Sequence, residues 1–431
     1  MYFLFNLYFF YMKEKLNLLI KIFAESVDIL EVKKYSKKIR KTNLPIFGCF
    51  LYRFLYCLPN MSKEKICAYI NTHLNTSFAR NAFESKENNI SIKCYENLLD
   101  KLKTFYFNNI SSSSKNKYAI ISIDGTYNND HKHREILNMG FFDSTNSIPI
   151  NLISCKNGSK NKEILYATKY ISSHLNEFTN KVLVFDRFYS SFDFIRFLIK
   201  NKLKFIIRQR NNTVKSNFKK INEQLRFIKF DHIYDKLIPT SSKKLTKIST
   251  ISIDDSYLFI TNLDDTYDDN LIFNLYGQRW NIETFFGFIK ANFKFQNMLE
   301  HDFISIKKMY LCELILYYLK QSFKNILNIT HQINEKLFME GITDNILFKL
   351  FNSTLDYNTL VKISKPYTHK TFNKKGRKFA RISKKPFSKW YIKAYSDATK
   401  YKRIINAILN KEIHILNKNE KLIANKIIKF K

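Results

Sequence analysis

Three acidic side chains stand where a folded chain could gather oxygen ligands for divalent metal ions. Asp124 closes the apolar run Tyr118 to Ile123, Asp186 closes Val182-Leu183-Val184-Phe185, and Glu283 follows Tyr276-Gly277-Gln278-Arg279-Trp280-Asn281-Ile282. A phosphodiester repels nucleophiles through its own charge, and two divalent ions overcome this by activating the attacking oxygen and stabilising the leaving one. Carboxylates hold hard cations. With no His or Cys close by in sequence, the set favours two Mg²⁺ ions, with Mn²⁺ as a substitute, over Zn²⁺. The expectation is that Asp124 bridges both ions while Asp186 and Glu283 complete one each.

The elements that must position these groups follow from the apolar pattern. Two short apolar runs ending in Asp read as strands, whose carboxyl ends are where open α/β sheets build sites. A single helix running from Tyr276 to Lys290 would place Tyr276, Arg279, Glu283 and Lys290 on one stripe about 60° wide, with Gly287 on the same face. Ile282, Phe285, Phe286 and Ile289 fall on the other side, as in a helix packed on a sheet. Arg279 then suits a phosphate as a bidentate fork and Lys290 as a point charge, with Tyr276 donating a further hydrogen bond.

Asp124, Asp186 and the Tyr-x2-Arg-x3-Glu-x6-Lys spacing of Tyr276, Arg279, Glu283 and Lys290 resemble the catalytic signature of bacterial insertion-sequence transposases of the DDE type. Further blocks come in that family's order. They are Leu137-Asn138-Met139-Gly140-Phe141-Phe142-Asp143 with the returning Ile148-Pro149-Ile150, then Lys162-Glu163-Ile164-Leu165, then Phe185-Asp186-Arg187-Phe188-Tyr189-Ser190-Ser191, and the strand Lys204 to Arg210. The resemblance spans roughly Leu44 to Lys320. It implies an α/β fold, a ribonuclease-H-like mixed sheet of strand order 3-2-1-4-5 with a β-rich insertion before the Glu283 helix. It also implies Mg²⁺-dependent cleavage at transposon ends and strand transfer into target DNA, by an active homodimer on paired terminal inverted repeats. Such a protein would sit in the bacterial cytoplasm at the nucleoid, and Arg187 joins the expected DNA contacts.

The domain scheme that follows has an apolar leader or packing arm at 1–29, a helical N-terminal DNA-binding domain at 30–112, a catalytic domain at 113–333 with its insertion at 211–256, and a basic region at 334–431. Met1 to Met12 is too short an apolar run to span a bilayer and lacks a preceding basic residue, so no membrane role is expected. Leu44-Pro45-Ile46-Phe47 and the stretch Ser77 to Phe83 resemble the family's helical end-contacting region. One departure stands out: where relatives carry basic residues after the Ala-Phe pair, this chain has Glu84, Lys86 and Glu87. Relatives that excise through a DNA hairpin stack an aromatic residue of the insertion on a flipped base. Here Phe218, Phe227, Phe230 and Tyr234 are the candidates. Near the C-terminus, Lys370 to Lys393 holds basic residues interleaved with aromatics and no acid, which marks Arg377, Lys378 and Arg381 as DNA-backbone contacts.

Composition agrees with a polyanionic partner. In 431 residues, 72 Lys and Arg outweigh 37 Asp and Glu to give a formal charge of +35, which drives salt-dependent binding to DNA. Six cysteines without a CxxC pair read as reduced buried thiols rather than a metal knuckle. Two other classes of function compete. Ile123-Asp124-Gly125-Thr126 partly matches the strand-end loop of haloacid-dehalogenase-like phosphatases, but Ser122 occupies the position of their nucleophilic Asp. A catalytically silent transposase-derived DNA-binding protein is the other, and the presence of all three carboxylates argues against it.

Overall fold

The structure, a computed structural model, describes residues 2–36, 39, 43–109, 119–129, 135–156, 162–209, 218, 222, 224–230, 233–239, 248–254, 257–296, 300, 302–370, 414 and 421. Six helices come first: α1 Tyr2–Ser26, α2 Ile29–Tyr35, α3 Ile46–Tyr56, α4 Lys63–Leu74, α5 Arg80–Asn88 and α6 Ile92–Asn109. A three-strand run follows, β1 Ala119–Asn129, β2 Glu135–Asp143 and β3 Ile148–Lys156, then α7 Glu163–Ser173 and α8 Leu175–Phe178. Next come β4 Lys181–Phe185, α9 Phe192–Lys200, β5 Lys204–Gln209, β6 Arg226–Phe230, β7 Ile233–Pro239, β8 Ile248–Asp254 and β9 Tyr257–Thr261. The remaining helices are α10 Asp269–Gly277, α11 Trp280–Asn292, α12 Phe303–Ile326, α13 Glu335–Gly341, α14 Leu347–Phe351 and α15 Tyr357–Ser364.

Among the described residues the main sheet has seven strands in the order β3-β2-β1-β4-β5-β9-β6. The expected order 3-2-1-4-5 is therefore its first part, extended by two strands. β1–β4 and β4–β5 pair in parallel, while β2–β3, β5–β9 and β6–β9 are antiparallel. Within the expected insertion at 211–256, β6 joins this sheet through β9, while β7 and β8 pair with each other in a separate two-stranded sheet.

The described chain divides into two units. One takes residues 2–109, 123–167 and 281–370, the other residues 119–122 and 168–280. In the first, helices α1, α3, α6 and α12 bury Phe23, Phe50, Phe54, Leu98, Leu316 and Phe323 in one core with Phe142 and Ile148 of the sheet. Helix α12 starts at Phe303 because Asp302 caps it by accepting from the Ile304 and Ser305 N–H. It lies against β3, with the Tyr318 hydroxyl donating to the Pro149 carbonyl at 2.7 Å. In the second unit, Val182, Val184, Ile206, Phe259, Phe273 and Tyr276 share a smaller core.

The segment that departs from the family's basic cluster has a structural explanation. Glu87 is 0 % exposed and takes bonds from Arg53, from Tyr95 at 3.0 Å and from Lys308 at 3.2 Å. Arg53 also reaches Glu300 at 2.9 Å. Glu84 receives Tyr52, Lys63 and Arg80, and Lys86 donates to the Leu44 carbonyl. These charges hold α3, α5, α6 and α12 together inside one unit.

A second buried charge gives a pH-dependent prediction. Lys320 is 3 % exposed, pairs with Glu335 at 2.9 Å and lies over the Phe288 and Tyr317 rings at 3.8 and 4.3 Å. Burial pushes its ammonium down to about 8, against the opposing pull of Glu335. The unfolded chain then binds more protons than the folded one from about pH 8 upward, so this group makes stability rise with pH across that window. Urea melts at pH 7.5 and 9.5 are expected to show wild type gaining stability, and Lys320→Met losing that gain. Equal pH responses in both would contradict it.

No helix among the described residues is long and apolar enough to cross a membrane.

Candidate active site

In the second unit the site starts from β4. Val182 to Phe185 are buried, and the chain then turns at Asp186, which caps a 3₁₀ turn Arg187–Tyr189 by accepting from the Phe188 N–H at 2.7 Å. That bond fixes the carboxylate at the strand end. Tyr189 goes into the core against Phe185 and Phe194, which anchors the turn and leaves Arg187 and Phe188 exposed.

Tyr276 and Arg279 do not lie on one helix with Glu283, which corrects the single helix expected from 276 to 290. Gln278 N–H bonds Leu275 O at 3.2 Å and Arg279 N–H bonds Tyr276 O at 2.9 Å, so α10 ends in a tightened 3₁₀-type turn before α11 begins at Trp280. Such a turn advances by about 120° per residue instead of about 100°, so the stripe cannot be carried across it. Tyr276 accordingly does not share an open face. It is 2 % exposed and packs on Phe259 at 4.8 Å. Burial pushes its phenol up, Arg279 and Arg208 pull it back, and Asp186 adds to the rise. Those four groups are therefore electrostatic neighbours within this unit. The Arg279 guanidinium stands 5.8 Å from the Tyr276 ring, and Arg208 lies 4.6 Å over Tyr257. Arg208 escaped the sequence reading, although a cation interrupting the apolar strand Lys204–Gln209 was its signal.

In the first unit, β1 carries Asp124 half-buried, then Gly125 and the buried Thr126. Asp124 lies two residues beyond Ser122, the last residue that β1 pairs with β4, and the partner of Ser122 is Val184. The Asp124 Oδ1 accepts from the Gly125 N–H at 2.9 Å. The stripe on α11 holds: Ile282, Phe285, Phe286 and Ile289 are buried while Glu283 and Lys290 are half-buried and Gly287 is exposed. Gly140 of β2 is what lets this helix come so close, since a Cβ there would stand 2.7 Å from Phe286. Lys290 Nζ donates to Thr126 Oγ1. Burial lowers the Lys290 ammonium, and Asp124 acts against that shift.

Glu163, at the start of α7, was read from the sequence only as part of a helix start. It is 8 % exposed, and its carboxyl carbon would lie 2.7 Å from a Cβ added to Gly125. Burial and the same carboxylate push the Tyr127 phenol up.

Among the described residues, no group of three or more His, Cys, Asp or Glu stands close enough to hold a metal ion. Carboxylate oxygens, the donors that Asp124, Asp186 and Glu283 each carry, are the kind that hard divalent cations take. Of the remaining expected DNA contacts, Arg377, Lys378 and Arg381 lie outside the described residues. Phe218 is 6 % exposed and stacks on Phe192 at 4.4 Å, so its faces are largely taken up in packing. Phe227 meets Phe218 edge-on at 6.2 Å, and the side chains of Phe230 and Tyr234 lie outside the described set.

A family model described as a transposase DDE domain matches residues 103–319. No curated protein matches the chain.

Proposed function

The chain belongs to the transposase DDE family, and from that premise we propose that it cuts DNA at transposon ends and transfers the freed strand into target DNA, using Mg²⁺ held by Asp124, Asp186 and Glu283. What chiefly supports this reading is Lys290. It sits on the Glu283 helix, donates to Thr126 and feels the charge of Asp124, and so ties the third carboxylate's helix to the first carboxylate's strand. When bound, two divalent ions supply activation of the attacking oxygen and stabilisation of the leaving one.

The chain's own residues do the rest. Arg279 grips a phosphate as a planar fork and Lys290 as a point charge. Tyr276, buried beside Arg279, positions that guanidinium rather than touching the DNA. Arg187, exposed next to Asp186, contacts the backbone nearby, and Arg377, Lys378 and Arg381 add charge from the C-terminal region. Water is the nucleophile for cleavage, and the 3′-hydroxyl of the cut DNA is the nucleophile for transfer. The working form is a homodimer on two paired ends, with residues 30–112 contacting the terminal repeats.

Metal dependence tests this reading. A plasmid carrying the element's ends is expected to be cut with Mg²⁺ or Mn²⁺ and left intact in excess chelator. Cutting that persists without divalent metal would remove the reading.

A further inference from the structure

Lys290 lies half-buried on α11, and its Nζ donates to Thr126 Oγ1 on β1. Alternate side chains of a strand point to the same face, so Asp124, Thr126 and Asn128 share one side of β1 while Gly125 and Tyr127 take the other. The bond to Thr126 therefore draws the ammonium onto the side that Asp124 faces. Farther along that side, Asn128 donates to the Tyr310 hydroxyl of α12 at 3.3 Å, and Asn138 of β2 does so at 3.4 Å. Asn128 and Tyr310 are 5 % and 2 % exposed, so this end of the strand is closed. Thr126, itself buried, stands between the closed end and the half-buried Asp124. A lysine head group on its flexible four-carbon stem has no fixed place unless a partner holds it. A β-branched threonine, stiff at χ1, aims its oxygen in a set direction.

We infer that Thr126 is a positioning residue for DNA cleavage: its hydroxyl holds the Lys290 ammonium on the Asp124 side of β1, where that ammonium meets a phosphate of the DNA. Thr126 is buried and touches neither DNA nor metal; it acts through Lys290. The inference rests on the phosphate-binding role proposed above for Lys290. Ordering a long side chain before the DNA arrives removes that entropic cost from binding and reaction. The chemistry of the anchor matters as well. A hydroxyl oxygen accepts from the ammonium and leaves its positive charge uncancelled, whereas a carboxylate at position 126 would form an ion pair and spend that charge before a phosphate could use it.

The test is single-turnover cleavage, with Mg²⁺ and saturating full-length protein, of a labelled duplex carrying the element's own terminal repeat. Wild type is compared with Thr126→Val, Thr126→Ser, Lys290→Met and the double variant Thr126→Val/Lys290→Met. Thr126→Val keeps the branched shape and removes the hydroxyl. It is expected to lower the cleavage rate by about tenfold to a hundredfold, the scale of a small misplacement in an active site, while duplex affinity, carried by the chain's large positive charge, holds. Thr126→Ser, which keeps the acceptor, is expected to recover most of the rate. In the Lys290→Met background, Thr126→Val is expected to cost little more, because the hydroxyl then has nothing to hold. The same proportional loss from Thr126→Val in both backgrounds, or no recovery in Thr126→Ser, makes Thr126 a packing residue and overturns the inference. A wild-type rate in Thr126→Val overturns it too. Should Thr126→Val fail to fold, Thr126→Ala takes its place in the same cycle. Lys290→Met cleaving at the wild-type rate overturns the role of Lys290 and the inference with it. No Mg²⁺-dependent cleavage by wild type overturns the reading beneath both.

Discussion

Glu87→Ala is expected to destabilise the first unit by about 3–5 kcal/mol, the cost of removing one partner from a buried ion pair. Glu87 is fully buried and takes bonds from Arg53, Tyr95 and Lys308. Without it, two cations that are themselves 3 % and 2 % exposed would face each other with Glu300 as the remaining acid bonded to Arg53. Burial alone would raise the Glu87 carboxyl, but Arg53 and Lys308 outweigh it and hold the group below its usual value. Because the folded-state value is depressed, its contribution is present above the ordinary carboxylate range and is lost as pH falls through the folded value. Urea melts should show the loss at pH 7 and a smaller difference from wild type in strong acid. A Glu87→Ala variant as stable as wild type at pH 7 would mean that the buried charges are satisfied without it.

That hub also shows where sequence pattern stops being readable. Glu84, Lys86 and Glu87 stand out in the sequence because they occupy the place of a basic cluster. Their meaning lies in partners far along the chain, Arg53 and Lys308, which no local period reveals. Asp124 and Asp186 were legible because an apolar strand ending in an acid is a local signal, and the stripe Ile282, Phe285, Phe286 and Ile289 was legible because α11 is regular. Tyr276 was misread for the opposite reason. The 3₁₀-type bonds at Gln278 and Arg279 break the helical period, and neither residue announces that break. Glu163 was passed over because its relation to Gly125 exists only once α7 has folded against β1. The first five strands of the main sheet followed from the resemblance, whereas β9 and β6 joined it through antiparallel pairing that the Lys-rich insertion concealed.

Glu283→Ala is expected to lower strand cleavage by on the order of 10³-fold or more, about 4 kcal/mol of transition-state stabilisation. The fold should survive, since Glu283 lies half-buried on the face of α11 away from its apolar stripe and alanine favours helix. DNA affinity should also survive, because Arg279, Lys290 and the chain's large positive charge remain. The direct measurement is cleavage of a labelled duplex carrying the element's own terminal repeat, with Mg²⁺, by wild type and by Glu283→Ala at equal DNA occupancy. The account predicts nicking at the repeat end by wild type and none by the variant. Nicking by the variant at the wild-type rate would contradict the place given to Glu283, and binding without nicking by both would contradict an active transposase.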